Sequence, residues 1–397
     1  MMNIILIIFT LSLFCLFILT LGYSVLIRIL LRRKEEKSCI INSSKIYSVS
    51  IIVPVYNERG AIEQKIENLF AVNYDKDKME IIFVDSNSND GTIALLRQIQ
   101  CDERYKDKVR LIIQPQRCGK ASAINEALKV ARGEIIVLTD ANAIFHENSL
   151  LNLCRNFDDP EIGAVGGKLS IPPDSFASSL YSSFFDFFRN NSRINESKLD
   201  CPSFFSGELI GFRRELVDKL DYDAISDDLD LLIKVRKKEF RCIIDEKALV
   251  WERRPAKFSE HLVQLRRTAA GTLQILMRNK DMLFNKKYGL FGSVILPAYL
   301  LRLILIPVLL LLLEITGLWL FFDSISSFIE ILFGKLILVI PIFAAIIFSG
   351  MFHRKLLPVF LFSIIAQIAI LLGMSDYLRG KHTHLWEKVR TSRVMRN

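Results

Sequence analysis

Residues Val49 to Glu58 read VSIIVPVYNE. The first seven are mostly apolar and β-branched, without the alternation of a one-faced strand, so they read as a strand buried on both faces. Three later runs share that character: Glu80 to Val84 (EIIFV), Val109 to Ile113 (VRLII) and Glu134 to Leu138 (EIIVL). Between them Glu58 to Phe70, Thr92 to Gln100 and Ala121 to Ala131 carry helical patterns. The βαβαβαβ order predicts an α/β, Rossmann-like domain with a mostly parallel sheet. Ligands of such sheets bind beyond the carboxyl ends of the strands. Each of those ends is polar here: Pro54-Val55-Tyr56-Asn57-Glu58, then Asp85-Ser86-Asn87-Ser88-Asn89-Asp90-Gly91-Thr92, then Arg117-Cys118-Gly119-Lys120, then Thr139-Asp140-Ala141-Asn142. Each alone reads as a turn or a helix cap. Four on one edge read as a site, because carboxylate and amide oxygens suit a hard divalent cation and a lysine beside them suits a nucleotide diphosphate.

Outside this region the chain changes character. Of 397 residues 51% are hydrophobic and the mean hydropathy is +0.30, which excludes disorder, collagen and coiled coil and calls for a mixture of globular and membrane segments. Met1 to Ile27 holds no charged residue or histidine, and about 20 apolar residues suffice to span a bilayer. Arg28, Arg32, Arg33 and Lys34 follow, which places the downstream side in the cytoplasm and argues against a cleaved signal peptide. Three further candidates lie near the C-terminus: Tyr288 to Phe322, interrupted by Arg302 and Glu314; Ile331 to Phe352; and the uncharged run Leu356 to Ser375. Four crossings would put the basic tail from Arg379 to Asn397 outside, so the topology stays open.

The expected organisation is therefore a transmembrane helix over 1–31, a globular domain over 32–287 with an interface helix at about 258–280, about three transmembrane helices over 288–378 and a basic interfacial tail over 379–397. The net charge of +9 is assigned to membrane flanks and not to nucleic acid. Seven cysteines without a CxxC suggest neither disulfides nor zinc and fit a reducing cytosol. His382 and His384 read as interfacial residues, and Phe184, Phe185, Phe187 and Phe188 as an amphipathic or membrane-contacting surface.

The series IVPVYNE, VDSNSNDGT, GKASAINEAL, TDAN, FFSGELIGFRRE, ISDDLDLLIKVRKKEFR and QLRRT resembles the membrane-integrated family 2 glycosyltransferases, the branch that includes hyaluronan, chitin, cellulose and poly-N-acetylglucosamine synthases and ceramide glucosyltransferase. The resemblance covers about residues 48 to 275. It implies a GT-A fold that binds a nucleoside-diphosphate sugar, usually a UDP-sugar, and inverts the anomeric carbon. Pro54, Tyr56, Glu58, Asp85, Lys120, Asp140, Gln264 and Arg267 would face the donor, with Asp85 at the nucleoside. Asp140 would be the first acid of the DxD element and, with Asn142 in place of the second, would hold Mg2+ or Mn2+. Ser86 also stands where many relatives have a second Asp.

Asp228, closing Ser226-Asp227-Asp228, matches the family's general base, with Ser206, Gly207 and Asp227 on the acceptor side. The same three residues read as a helix start capped by Ser226, and a base mounted there is expected to have a lowered pKa. Gly166-Gly167-Lys168 falls where relatives have a strand beside the donor; a turn is the other reading. Gln264 to Thr268 matches QxxRW except that Thr268 replaces Trp, a loss that weighs against processive polymerisation; an amphipathic interface helix is the alternative.

The resulting expectation is a multi-pass plasma-membrane enzyme with a cytoplasmic catalytic domain. It would add sugar from a nucleotide-sugar donor to a growing polysaccharide, with single transfer to a lipid acceptor, or a non-catalytic sugar-nucleotide-binding scaffold, as alternatives.

Overall fold

The computed structural model describes residues 2–33, 45–170, 190–252, 258–333 and 357–381. Its centre is one sheet of eight strands: β1 (Val49–Val55), β2 (Met79–Asp85), β3 (Val109–Ile113), β4 (Ile135–Leu138), β5 (Ile144–Phe145), β6 (Ile162–Ser170), β7 (Ile210–Arg213) and β8 (Arg241–Trp251), in the order β3-β2-β1-β4-β7-β6-β8-β5. Every residue of β1 is buried, as its continuous apolar run requires. The pairs β1–β2, β1–β4, β2–β3 and β6–β8 are parallel and the other three antiparallel, so the sheet is mixed and mostly parallel. The four strands read from the sequence are the parallel half, and their carboxyl ends share one edge. Gly166 and Gly167 lie within β6 and not in a turn: a Cβ on Gly166 would stand 2.5 Å from the ring of Phe205, so the glycine admits the loop before β7.

The period of two along a strand divides the core. Ile51, Val53, Ile81 and Phe83 face Ile62, Ile66 and Leu69 of α2 (Arg59–Ala71). Ile52, Ile82 and Leu138 face the other layer, which includes Ile124 of α4 (Lys120–Val130) and Leu229 and Leu232 of α7 (Asp227–Lys237). Between these come α3 (Thr92–Cys101), α5 (Ser149–Arg155) and a helix over 190–199, here α6.

Two helices among the described residues are long and apolar enough to cross a membrane, Met2–Arg32 (α1) and Phe291–Asp323. The second runs into α9 (Leu296–Phe333). The expected crossing over Ile331 to Phe352 falls largely outside the described residues, and that over Leu356 to Ser375 is represented by α10 (Leu357–Leu378). The basic tail, with His382 and His384, and the Phe184 to Phe188 cluster also lie outside them.

Arg302, which interrupts an apolar run, has a buried partner. Its guanidinium pairs with Glu196 of α6 at 3.2 Å and lies 4.0 Å from the ring centroid of Tyr23, whose hydroxyl donates to the same carboxylate at 2.8 Å. Glu196 is fully buried, so α1, α6 and α9 meet at one satisfied carboxylate. The six cysteines among the described residues are free.

Helix α8 (Phe258–Arg278), expected as an interface helix, packs against α10. Gly373 permits this: a Cβ there would stand 2.0 Å from the Arg266 carbonyl oxygen, and one turn on Asp376 accepts from both the Nε and Nη2 of Arg266. Gly373→Val is expected to force the two helices apart at a cost of about 1–3 kcal/mol, whereas Gly22→Ala, whose methyl would meet only ordinary contacts at 3.6 Å, is tolerated; thermal unfolding in detergent distinguishes them.

Candidate active site

Lys120 is the hub. Gly119, at φ +87° with extended ψ, makes a turn that only glycine adopts freely and delivers Lys120 as the first residue of α4. Its Nζ lies 2.8 Å from Asp140 Oδ1 and 3.3 Å from Asp227 Oδ2. The three side chains are 13%, 15% and 10% exposed, which keeps the contacts out of bulk water and strengthens them. Burial by itself would lower the Lys120 pKa, but Asp140 and Asp227 outweigh it and hold the ammonium charged. Gly207 belongs to the same spot, since a Cβ there would lie 3.4 Å from Lys120 Nζ.

Asp228 follows Asp227 at the start of α7. Ser226 occupies the cap position without capping; its hydroxyl donates to Asp228 Oδ1 at 2.6 Å, and the Leu229 amide donates to the same oxygen at 2.8 Å. The helix-dipole expectation is overturned: burial, then the charge of Asp227, push the Asp228 pKa up to about 6 despite those two donors and Lys120. The carboxylate is thus poised near neutrality, where a general base works best.

Helix α8 holds this end in place. Gly271 packs on Ile225 and Ser226, and Gln274 accepts from the Ile225 amide at 3.1 Å and donates to the Asp223 carbonyl at 3.1 Å. On the same helix Arg267 reaches the electrostatic field of Asp227, Asp140 and Asp228, which opposes the lowering of its pKa by burial. Gln264, one turn away, is exposed, and so is Thr268.

Pro54, Val55, Tyr56, Ser86, Arg117, Gly119 and Lys120 line one cleft. The Arg117 guanidinium lies 4.2 Å from the centroid of the Tyr56 ring, its Nη2 buried and without a hydrogen bond among the described residues. Asp85, fully buried beside the cleft, accepts from the Ser88 amide through Oδ1 while Oδ2 makes no hydrogen bond there, and burial raises its pKa. Much of the polar stretch after β2 is scaffold: the Asn57 amide donates to Ser88 Oγ, the Asn89 amide to Asn57 Oδ1, and the Glu58 amide to Thr92 Oγ1. Asn57 and Asn87 take left-handed backbone, which Asn tolerates best after Gly. Glu58 is buried at the head of α2 and does not line the cleft.

Asn142 Nδ2 donates to Glu252 Oε1 at 2.9 Å. Burial, then Glu208 and Asp140, raise the Glu252 pKa, so this side of the site concentrates negative charge that a cation would relieve. The donor atoms are all oxygens, the chemistry Mg2+ and Mn2+ prefer. Among the described residues no three His, Cys, Asp or Glu side chains form a ready cage, so an ion held by Asp140 and Asn142 would complete its shell with ligand or water oxygens.

Residues 50–221 match the model of the family described as Glycosyl transferase family 2. Over those residues the chain is similar to the family 2 glycosyltransferases. It is 26% identical over 259 residues to the probable glycosyltransferase YdaM of Bacillus subtilis (strain 168), and 25% identical over 258 residues to the poly-β-1,6-N-acetyl-D-glucosamine synthase of Staphylococcus aureus (strain MSSA476). These alignments cover 62% and 64% of this chain but only 60% of each relative. Among solved structures, the mannosyltransferase PcManGT from Pyrobaculum calidifontis, in complex with GDP-Man and Mn2+, superposes with a TM-score of 0.70 at 24% identity over 94% of this chain and 100% of its own. That likeness establishes the GT-A fold.

Around the sheet edge lie Pro54, Tyr56, Asp85, Lys120, Asp140, Asn142, Ser206, Gly207, Asp227, Asp228 and Arg267. Asp227, expected toward the acceptor, pairs with Lys120, expected toward the donor, at 3.3 Å. Sequence reading assigned no role to Arg117, although it stands in the quoted loop, and did not single out Glu208 or Glu252, whose proximity to Asn142 arises only in the fold. Asp227→Asn is expected to lower the Asp228 titration toward the ordinary carboxylate range, because it removes the adjacent negative charge; 13C NMR of labelled aspartate carboxyls tests this, and an unchanged midpoint contradicts it.

Proposed function

We propose that the chain is an inverting membrane glycosyltransferase, taking a sugar from a nucleoside-diphosphate sugar, in the first instance a UDP-sugar, and adding it to a growing polysaccharide. The observation that carries the reading is the convergence of Lys120 with Asp140, Asp227, Asp228 and Arg267 at the end of a cleft lined by Arg117, whose Nη2, like Oδ2 of the buried Asp85 next to the lining Ser86, has no hydrogen-bond partner among the described residues. An open carboxylate oxygen accepts a base N–H, and a line of cations suits a diphosphate.

In the reaction Asp228 takes the proton of the acceptor hydroxyl as its oxygen attacks C1. The bond from C1 to the diphosphate oxygen breaks on the opposite face, which inverts the centre. Lys120 and Arg267 neutralise the charge left on the nucleoside diphosphate, and the amides at the start of α4 favour anions there. Asp140 and Asn142 would hold Mg2+ or Mn2+, which when bound supplies further neutralisation of the same phosphates.

The staphylococcal relative's name supports the polysaccharide acceptor. A lipid acceptor is the second reading, favoured by the geometry of the acceptor side: Phe204, beside Ser206, stacks on Tyr299 of the apolar helix Phe291–Asp323 at 5.4 Å between ring centroids. In both cases α1, α9 and α10 cross the plasma membrane and the basic flank after α1 keeps the catalytic domain cytoplasmic.

Incubation with UDP- and GDP-sugars should release nucleoside diphosphate in a Mn2+-dependent manner, lost with EDTA and regained on Mn2+ addition. Asp228→Asn should lower the rate by about 10²–10⁴ while nucleotide affinity stays within about threefold. The rate should fall below about pH 6 as Asp228 is protonated, since the protonated acid cannot accept a proton. A variant as active as the wild type contradicts the assignment.

A further inference from the structure

Lys65 lies in the middle of α2, on a face that the sequence reads as ordinary helix, yet it is fully buried, in company with phenylalanines and isoleucines as one of the largest such side chains among the described residues. An ammonium is costly to bury and persists only where its donors are met. Two of them make hydrogen bonds, to Thr139 Oγ1 at 2.8 Å and to the Ala143 carbonyl at 2.7 Å, and the ammonium lies 4.5 Å from the centroid of the Phe145 ring. Thr139 and Ala143 bracket the turn that carries Asp140 and Asn142. The Thr139 hydroxyl then donates to the Glu208 carbonyl at 2.7 Å, one residue past Gly207. Burial pulls the Lys65 pKa down to about 7, with Asp140 the charge that opposes the fall.

We propose that Lys65 is a positioning residue for the transfer site: through the relay from Lys65 Nζ to Thr139 Oγ1 to the Glu208 carbonyl, it fixes the Asp140–Asn142 turn from behind and locks it to the Ser206–Gly207 loop. Lys65 touches no donor atom. It acts because Asp140 and Asn142 have no regular strand to hold them: β4 ends at Leu138 and β5 begins only at Ile144. With both ends of the intervening turn tied to one buried ammonium, the two oxygen-bearing side chains keep their spacing, and the acceptor loop keeps its distance from them. Small displacements of such groups cost large factors in binding and rate.

The proposal rests on the donor reading above, and its test separates the two. The full chain in detergent is titrated with Mn2+ in the presence of UDP and, separately, GDP, following free Mn2+ by electron paramagnetic resonance, for the wild type, Lys65→Met, Thr139→Val, Thr139→Ser and the double variant Lys65→Met/Thr139→Val. Circular dichroism and thermal unfolding report folding. Lys65→Met and Thr139→Val are each expected to weaken Mn2+–nucleotide binding about tenfold. The double variant should be no weaker than the worse single one, because both break one relay. Thr139→Ser, which keeps the hydroxyl, should stay within about threefold of the wild type. Should Lys65→Met fail to fold, the nearly isosteric pair Thr139→Val and Thr139→Ser decides alone. Folded single variants that bind like the wild type, additive losses in the double, or a Thr139→Ser as weak as Thr139→Val would each overturn the relay. A wild type that binds neither nucleotide would instead overturn the functional reading, and the relay's role in transfer with it.

Discussion

The arrangement depends on one ammonium held between carboxylates. Lys120 sits within ion-pair distance of Asp140 from the end of β4 and Asp227 from the head of α7, in a place largely closed to water. Without that cation the two acids would repel each other at short range, and the segments carrying them would have no reason to converge. With it, the turn bearing Asp140, the loop at Gly207 and the head of α7 share one point. Asp228 is carried into position beside them by being next in the chain.

The sequence made the parallel half of the sheet legible because β1 to β4 are short, apolar and β-branched, and burial on both faces leaves little else for such runs to do. The site edge followed from topology: parallel strands put their carboxyl ends together. Within those loops composition could not separate ligand-facing groups from scaffold. Ser88, Asn89 and Thr92 look like the rest of their loop but are spent lacing it to Asn57 and Glu58, whereas Asp85 keeps an oxygen open. The pKa of Asp228 was misjudged because a helix-start argument sees the dipole and misses burial and the neighbouring Asp227. Glu252 and Lys65 were invisible for a different reason. Their partners, Asn142 and Thr139, lie 110 and 74 residues away, and a lone lysine in a helix reads as solvated until the fold surrounds it.

The apolar helices are packed onto the candidate site. Helix α8 carries Arg267 on one side, braces Ile225 and Ser226 through Gly271 and Gln274, and rests on α10 through Gly373 and Asp376. At the Ser206–Gly207 loop, Arg193 donates to Ser206 Oγ and lies over the Phe204 ring, and that ring stacks on Tyr299. Glu196, three residues on, holds the Ser203 amide together with Tyr23 and Arg302 of the apolar helices. The loop expected to receive the acceptor is therefore fixed by contacts to apolar helices. Thr268 leaves its position without an aromatic ring, and the Phe204–Tyr299 stack supplies aromatic surface next to the Ser206–Gly207 loop from other elements.

The most direct test of the central claim is the anomeric configuration of the first product formed from an α-linked nucleoside-diphosphate sugar, read from the 1H NMR coupling at C1 before equilibration. A single displacement with Asp228 as base and the diphosphate leaving past Lys120 and Arg267 predicts a β-configured product. An α-configured product would contradict it, because retention requires a different placement of the catalytic groups.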